Sequence, residues 1–244
     1  MSDEVKAIAD ATGSLWCTIS YNHYGAYCVP LDAQHRPAAK LVLRNEVYEP
    51  DTIEFMRRNC GAGDVIHAGA FFGDFLPAIC RACAPGAKVW AFEPNVQSYR
   101  CAQVTAVLND LKNLRLNNAG LGAVAGNSYL RVADQNGAPL GGGSRISTQG
   151  AETSGSQPIE IVRIDDVIPA EREISILQLD VEGYEEQALT GGLETIRRNL
   201  PVLILEDLPS SGLLESDWFR EHILSLGYRS SGSLHRNKVF SVRP

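Results

Sequence analysis

The chain has 244 residues, 44% hydrophobic and 21% charged, which excludes a wholly disordered polymer and fits one large α/β domain or one domain with an extension. Acidic residues outnumber basic ones 29 to 22, a formal charge of −7, against the basic surplus expected of a protein that grips nucleic acid by its phosphates. The longest apolar runs, such as Val202-Leu203-Ile204-Leu205, fall far short of the roughly 20 residues of a membrane-spanning helix.

The first residues, Met1 to Lys6, are polar and acidic, without the basic and then apolar pattern of a secretory leader. The six cysteines (Cys17, Cys28, Cys60, Cys80, Cys83, Cys101) therefore read as reduced thiols of a cytoplasmic protein. Leu15–Ser20 and Ala26–Pro30 predict two short strands around a polar aromatic turn, Tyr21-Asn22-His23-Tyr24-Gly25. Glu49-Pro50-Asp51 opens a helix over Thr52–Asn59, and Gly61 and Gly63 close it. From Asp64 onward, strand-like runs alternate with helical patterns. Strands are predicted at Val65–Ala68, Lys88–Phe92, Leu114–Asn117, Ser175–Leu179 and Pro201–Leu205. Helices are predicted at Asp74–Ala84, Asn95–Asn109, Tyr184–Arg198 and Glu215–Leu226, with Tyr99, Ala102, Ala106 and Leu108 near the apolar face of the second. Tyr228–Ser231 and Lys238–Val242 suit a closing antiparallel hairpin. The alternation indicates a mostly parallel sheet covered on both faces. Gly137–Gly155, with Gly141-Gly142-Gly143-Ser144 inside it, reads as a mobile loop.

In open α/β sheets, ligands bind beyond the carboxyl ends of the strands, so the residue after each strand carries the functional signal. After the first strand comes His67-Ala68-Gly69-Ala70-Phe71-Phe72-Gly73-Asp74-Phe75. Its glycines allow a tight turn and close backbone approach to a ligand. Their spacing is not the G-x-G-x-x-G of a dinucleotide fingerprint. After the second strand, Glu93-Pro94-Asn95 offers a carboxylate that either accepts both hydroxyls of a ribose or simply favours a helix N-terminus. After the third, Asn118-Ala119-Gly120 leaves small groups beside which an adenine can rest. The fourth and fifth strands end in Asp180-Val181-Glu182-Gly183 and Glu206-Asp207, and buried strand ends seldom tolerate unpaired charge. Cys80 and Cys83 lack a second pair at zinc-site spacing and read as structural, and His222 and His235 belong to no constellation.

Together these stretches resemble the FkbM family of S-adenosylmethionine-dependent methyltransferases. The similarity runs in family order over roughly Asp64–Asp207, and Phe-Glu-Pro-Asn and Asp-Val-Glu-Gly are its most specific pieces. The resemblance implies a class I methyltransferase fold: a Rossmann-like three-layer sandwich with a seven-stranded sheet whose last strand is antiparallel. It divides the chain into an extension or cap over 1–60 and a cofactor-binding domain over 61–244. It also implies O-methylation of a sugar, a glycan or a natural-product scaffold.

The resemblance assigns the cofactor to His67, Gly69, Ala70, Phe71, Gly73, Asp74, Phe75, Glu93, Pro94, Asn118, Ala119, Gly120 and Asp180. Two positions depart from the pattern: His67 stands where the family has Asp, and Phe71 where it commonly has Asn. His67 is a structural substitute or, alternatively, a proton acceptor near substrate. Asp180 and Glu182, with His23, are the candidate catalytic groups. Asp180 either contacts the cofactor or acts as base, and Asp180, Glu182 and Glu206 alternatively hold Mg²⁺ through oxygen ligands. Tyr21, Tyr24 and Arg145 are candidate substrate contacts. The competing readings are a nicotinamide-dependent oxidoreductase and a non-catalytic nucleoside-binding subunit. The expected partner is a small molecule or carbohydrate, with no nucleic acid and no membrane span, and a homodimer is the base-rate assembly.

Overall fold

The structure, a computed structural model, describes residues 14–147, 155–208 and 210–242. Met1–Lys6, read as lacking a leader pattern, and part of the glycine-rich stretch, 148–154, fall outside them. Strands β1 (Cys17–Asn22) and β2 (Gly25–Pro30) form an antiparallel hairpin. A helix the sequence did not announce, α1 (Pro37–Val42), precedes α2 (Pro50–Asn59). There follow β3 (Asp64–Ala68), α3 (Leu76–Ala82), β4 (Val89–Phe92), α4 (Val96–Leu108) and β5 (Leu114–Asn117). Asn95 caps α4, its Oδ1 accepting from the amides of Gln97 and Ser98 at 3.0 and 3.3 Å. Next come β6 (Gly120–Leu121), β7 (Gly126–Arg131), β8 (Arg145–Ile146) and β9 (Ser156–Val162). The chain then runs α5 (Ile164–Val167), β10 (Ile174–Leu179), α6 (Glu185–Thr190), α7 (Leu193–Asn199) and β11 (Val202–Glu206). It ends with α8 (Asp217–His222), β12 (Arg229–Leu234) and β13 (Asn237–Ser241).

Seven strands make the main sheet, in the order β12–β13–β11–β10–β3–β4–β5. β11, β10, β3, β4 and β5 pair in parallel, while β13 enters antiparallel between β11 and β12. The last strand is therefore antiparallel, as the resemblance implied. The chain builds outward from β3 to β5 and then returns to lay β10 on the other side of β3. That reversal is the switch point at which an open sheet leaves a crevice.

Strand alternation decides what each face carries. Ile66, Leu177, Leu179, Leu203 and Leu205 pack with residues of α5–α8 on one face. Val65, Val89, Ala91, Ile176 and Ile204 pack against α2 and α3 on the other. Fully burying each such side chain contributes about 1.5–3 kcal/mol. Towards the carboxyl ends of the strands, this second face turns polar. His67 lies beside Gln178, and Glu206 lies beside Asn237. The β1–β2 hairpin packs outside α4: the Cys28 amide donates to Thr105 Oγ1 at 3.0 Å, and Thr105 Oγ1 donates to the Phe72 carbonyl at 2.9 Å.

The structure corrects several expectations. The helix expected over 184–198 is two, α6 and α7, broken where Gly191 comes so close to Gly122 that a Cβ would sit 2.0 Å from its carbonyl oxygen. The helix expected over 215–226 narrows to α8 with single 3₁₀ turns on either side. Leu108, expected near the apolar face of α4, is exposed; Ala102 is buried as expected, and Cys101 and Thr105 are buried beside it. The described part of the glycine-rich stretch is not wholly irregular. It holds a 3₁₀ turn at Gly141–Gly143 and β8, part of a second sheet in the order β6–β9–β7–β8. All six cysteines are free thiols.

Candidate cofactor and acceptor site

Two cavities open at the switch point and meet at Gly69, Gly142, Asp180 and Glu182. The loop after β3 forms the floor of both. Gly69 has φ +87°, and a Cβ there would lie 2.0 Å from the Asp180 carbonyl oxygen, so only glycine lets the ends of β3 and β10 approach this closely. Phe71 also adopts a left-handed conformation, with φ +47°. Glu93 holds that turn: its Oε2 accepts from the Phe71 amide at 2.7 Å and its Oε1 from the Asn95 amide at 2.8 Å. Burial pushes the Glu93 carboxyl up to about 8, although both amide bonds favour the charged form. Asn118 steadies the same corner by donating from Nδ2 to the Glu93 carbonyl at 2.8 Å.

The first cavity, of about 460 Å³, lies between Glu93, Pro94, Ala119, Gly120, Leu121, Leu130 and Ile146. Small residues and aliphatic side chains make a largely apolar slot with Glu93 at its side and Asp180 and Glu182 where it meets the second cavity. The second, of about 800 Å³, is acidic: Glu49, Asp74, Asp180, Glu182 and Glu206 line it, against Arg36 and Arg236. Burial raises the Asp74 carboxyl to about 7. Burial, then repulsion from Glu206 and Glu182, raises Asp180 well above the carboxylate range. Burial, then repulsion from Glu182 and Glu185, lifts Glu206 to about 7. Asp180, Glu182 and Glu206 each bring one oxygen within 4.8 Å of the others, and among the described residues no other such group of histidine, cysteine or acidic side chains exists.

His67 is buried and stacks on Phe75, with ring centroids 5.3 Å apart. Its Nδ1 faces the side-chain Oε1 of Gln178, which places the ring proton on Nδ1 and leaves Nε2 without a partner. Burial lowers the imidazole to about 4, so it is neutral at physiological pH.

The sequence matches the methyltransferase FkbM domain over residues 59–230. The chain belongs to the FkbM methyltransferase family. A crystal structure of methyltransferase FkbM from Methylobacillus flagellatus KT superposes with a TM-score of 0.51 at 18% identity, covering 74% of this chain and 43% of that one. The chain thus spans less than half the length of that protein. Precorrin-6y C5,15-methyltransferase from Geobacter metallireducens GS-15 (TM-score 0.45, 12% identity, 78% of this chain and 86% of that one) is also similar. So is a SAM-dependent methyltransferase from Aquifex aeolicus (TM-score 0.44, 12% identity, 80% and 89%). No curated protein shows significant similarity.

Within the FkbM frame, the residues expected at the site divide into four groups. His67, Gly69, Phe71, Asp74, Phe75, Glu93, Pro94, Ala119, Gly120, Asp180, Glu182 and Glu206 line the cavities. Ala70, Gly73 and Asn118 shape the loops beneath and beside them. Tyr21, His23 and Tyr24 line neither cavity. Their turn packs against α3 and α4: Arg81 donates to the Tyr24 carbonyl, and Asn109 Nδ2 donates to the Ala26 carbonyl at 2.6 Å. Arg145 reaches the rim and joins Glu182 at 3.3 Å, while Arg36 approaches the same carboxylate at 4.0 Å.

Several residues of the site escaped sequence reasoning. Glu185 Oε1 accepts from the amides of Val181 and Gly183, both at 3.2 Å, and so folds the turn that gives Glu182 its φ of +55°. Glu49 Oε2 accepts from Thr52 Oγ1 and Asn237 Nδ2, each at 2.9 Å, tying the segment before α2 to β13. Gln178 gave the clearest available signal: it is the one strongly polar residue inside the apolar run Ile176–Leu179.

Proposed function

We propose that this chain is an S-adenosylmethionine-dependent O-methyltransferase acting on a hydroxyl of a sugar, a glycan or a small natural-product scaffold. One observation carries the reading: a largely apolar slot flanked by Glu93 joins an acidic cavity at the β3–β10 switch point, the two sharing Asp180 and Glu182. An adenosine end suits the first, with Glu93 beside its ribose. A cationic amino-acid end suits the second, where Asp74, Asp180 and the bare Nε2 of His67 offer acceptors. The close approach of Gly69 to Asp180 makes the cradle between them. A dinucleotide fits worse, because its pyrophosphate would face the acidic cavity.

When bound, the cofactor supplies an electrophilic methyl group. The chain's own part is to hold the acceptor hydroxyl in line, to exclude water and to take a proton. Asp180 lies where the two cavities meet and Glu206 lines the acidic one, and Glu206, raised to about 7, is ionised only as the pH passes that value. Turnover should therefore rise with pH through about 7.

The carboxylate trio also has the oxygen chemistry of a Mg²⁺ site. Glu182 is already partnered by two arginines, which favours the organic reading. Activity that persists in EDTA supports that reading; activity lost in EDTA and restored by Mg²⁺ assigns the trio to the metal.

The test is methyl transfer to a panel of sugars and hydroxylated scaffolds, read as release of S-adenosylhomocysteine and as the mass of the product. Methylated product at a hydroxyl supports the proposal. Binding of NAD in place of S-adenosylmethionine supports the oxidoreductase reading, and cofactor binding without turnover supports a non-catalytic subunit.

A further inference from the structure

β11 and β13 are antiparallel neighbours, and their register sets Glu206 directly opposite Asn237. The Asn237 amide nitrogen donates to Glu49 Oε2 at 2.9 Å. A carboxylate on the nitrogen side turns Oδ1 away from it, and that oxygen has no partner, in a residue only 2% exposed. Glu206 Oε2 is likewise unpartnered, in a residue 7% exposed. Both residues line the acidic cavity. Once Glu206 is ionised, two buried acceptors on facing residues, one of them a carboxylate, are costly unless a ligand brings donors to both.

Gly69 follows β3, whereas Glu206 and Asn237 lie two and three strands across the sheet. One Glu206 oxygen comes within 4.8 Å of Asp180, and Asn237 stands one strand beyond Glu206, on the side of the acidic cavity away from Gly69. We take that side as the acceptor's. A hydroxyl has a single proton and no charge, so it serves one of the two atoms. An ammonium group carries three donors and a positive charge and serves both. A single divalent ion suits the neighbouring trio of Asp180, Glu182 and Glu206, but Asn237 is not part of that trio.

We infer that the substrate receiving the methyl group carries a protonated amine, seated between Glu206 and Asn237. The inference rests on the methyltransferase reading of the site and narrows its acceptor to amino sugars and amino alcohols.

The experiment is calorimetry on the full chain in EDTA, first with S-adenosylhomocysteine and then, at saturation, with matched pairs: glucosamine, galactosamine and mannosamine against their N-acetyl derivatives. In at least one pair the amine should bind at least about tenfold more tightly than its acetylated partner. Glu206→Gln should erase that preference and Glu206→Asp, which keeps the charge, should retain it, with thermal melts confirming that both variants fold. Equal binding within every pair, preference for the acetylated member, no binding by any sugar, or a preference that survives Glu206→Gln overturns the inference. A protein that binds S-adenosylhomocysteine but shows no amine preference refutes this inference alone. One that does not bind it refutes the methyltransferase reading as well.

Discussion

Phe71 stands in the left-handed region at φ +47°, where a bulky L-residue costs about 1–2 kcal/mol. Its ring repays that cost: it is buried, lies 4.7 Å from the Phe72 ring and covers Gly142. Losing a buried Phe costs about 3–5 kcal/mol, so packing outweighs strain. Phe71→Gly should relax the turn and still destabilise the protein by about 2 kcal/mol in urea titration. Gly69 obeys the opposite arithmetic, because a methyl group there collides with the Asp180 carbonyl and gains nothing. Gly69→Ala should abolish cofactor binding and lower the melting temperature; retained affinity would remove the loop from the site. Both glycines of the loop were legible in the sequence, because a strand–glycine–helix junction has few other uses. The state of His67 was not. Its neutrality and its bare Nε2 depend on Gln178, which is 111 positions away and becomes its neighbour only through the pairing of β3 with β10.

Among elements, the parallel strands were readable because burial on both faces demands continuous apolar runs, as in Val202–Leu205. The second sheet was not, since only alternate residues of β9, Ile159 and Ile161, are buried and the surrounding glycines mask the pattern. The candidate site followed the same division. Residues next to strand ends were found, whereas Glu49, Arg36 and Asn237 arrive from segments distant in sequence. Glu49 joins the segment before α2 to β13 through Asn237. Glu49→Ala should cost about 1.5–3 kcal/mol in urea, the range for a hydrogen bond to a charged group, because Asn237 would lose its partner. The arginines over Glu182 are a different case. Arg145 is exposed, and pairs of that kind contribute at most about 1 kcal/mol. Arg145→Ala should leave stability nearly unchanged and raise the substrate KM; an unchanged KM would make the pair ornamental.

For the whole molecule, the charge of −7 matters less than where part of it is placed. Asp74 and Glu206 titrate near 7 and Glu93 near 8, against ordinary values of 3.8 and 4.5. The native state therefore holds protons that the unfolded chain has released. The stability these groups contribute is complete below about pH 4 and is lost as the pH rises to about 8. The melting temperature of the ligand-free protein should fall across that window, and Asp74→Asn and Glu206→Gln should flatten the fall. A cationic ligand reverses the penalty by favouring the charged carboxyls, so it should stabilise most at the alkaline end. That ties the acidic site to the binding of S-adenosylmethionine in the paired cavities. The most direct test of that binding is calorimetric titration of the protein with S-adenosylmethionine, alongside Gly69→Ala and NAD. Saturable one-to-one binding of S-adenosylmethionine is expected, lost in Gly69→Ala and absent with NAD. No binding of the sulfonium compound, or equal binding by the variant, would contradict it.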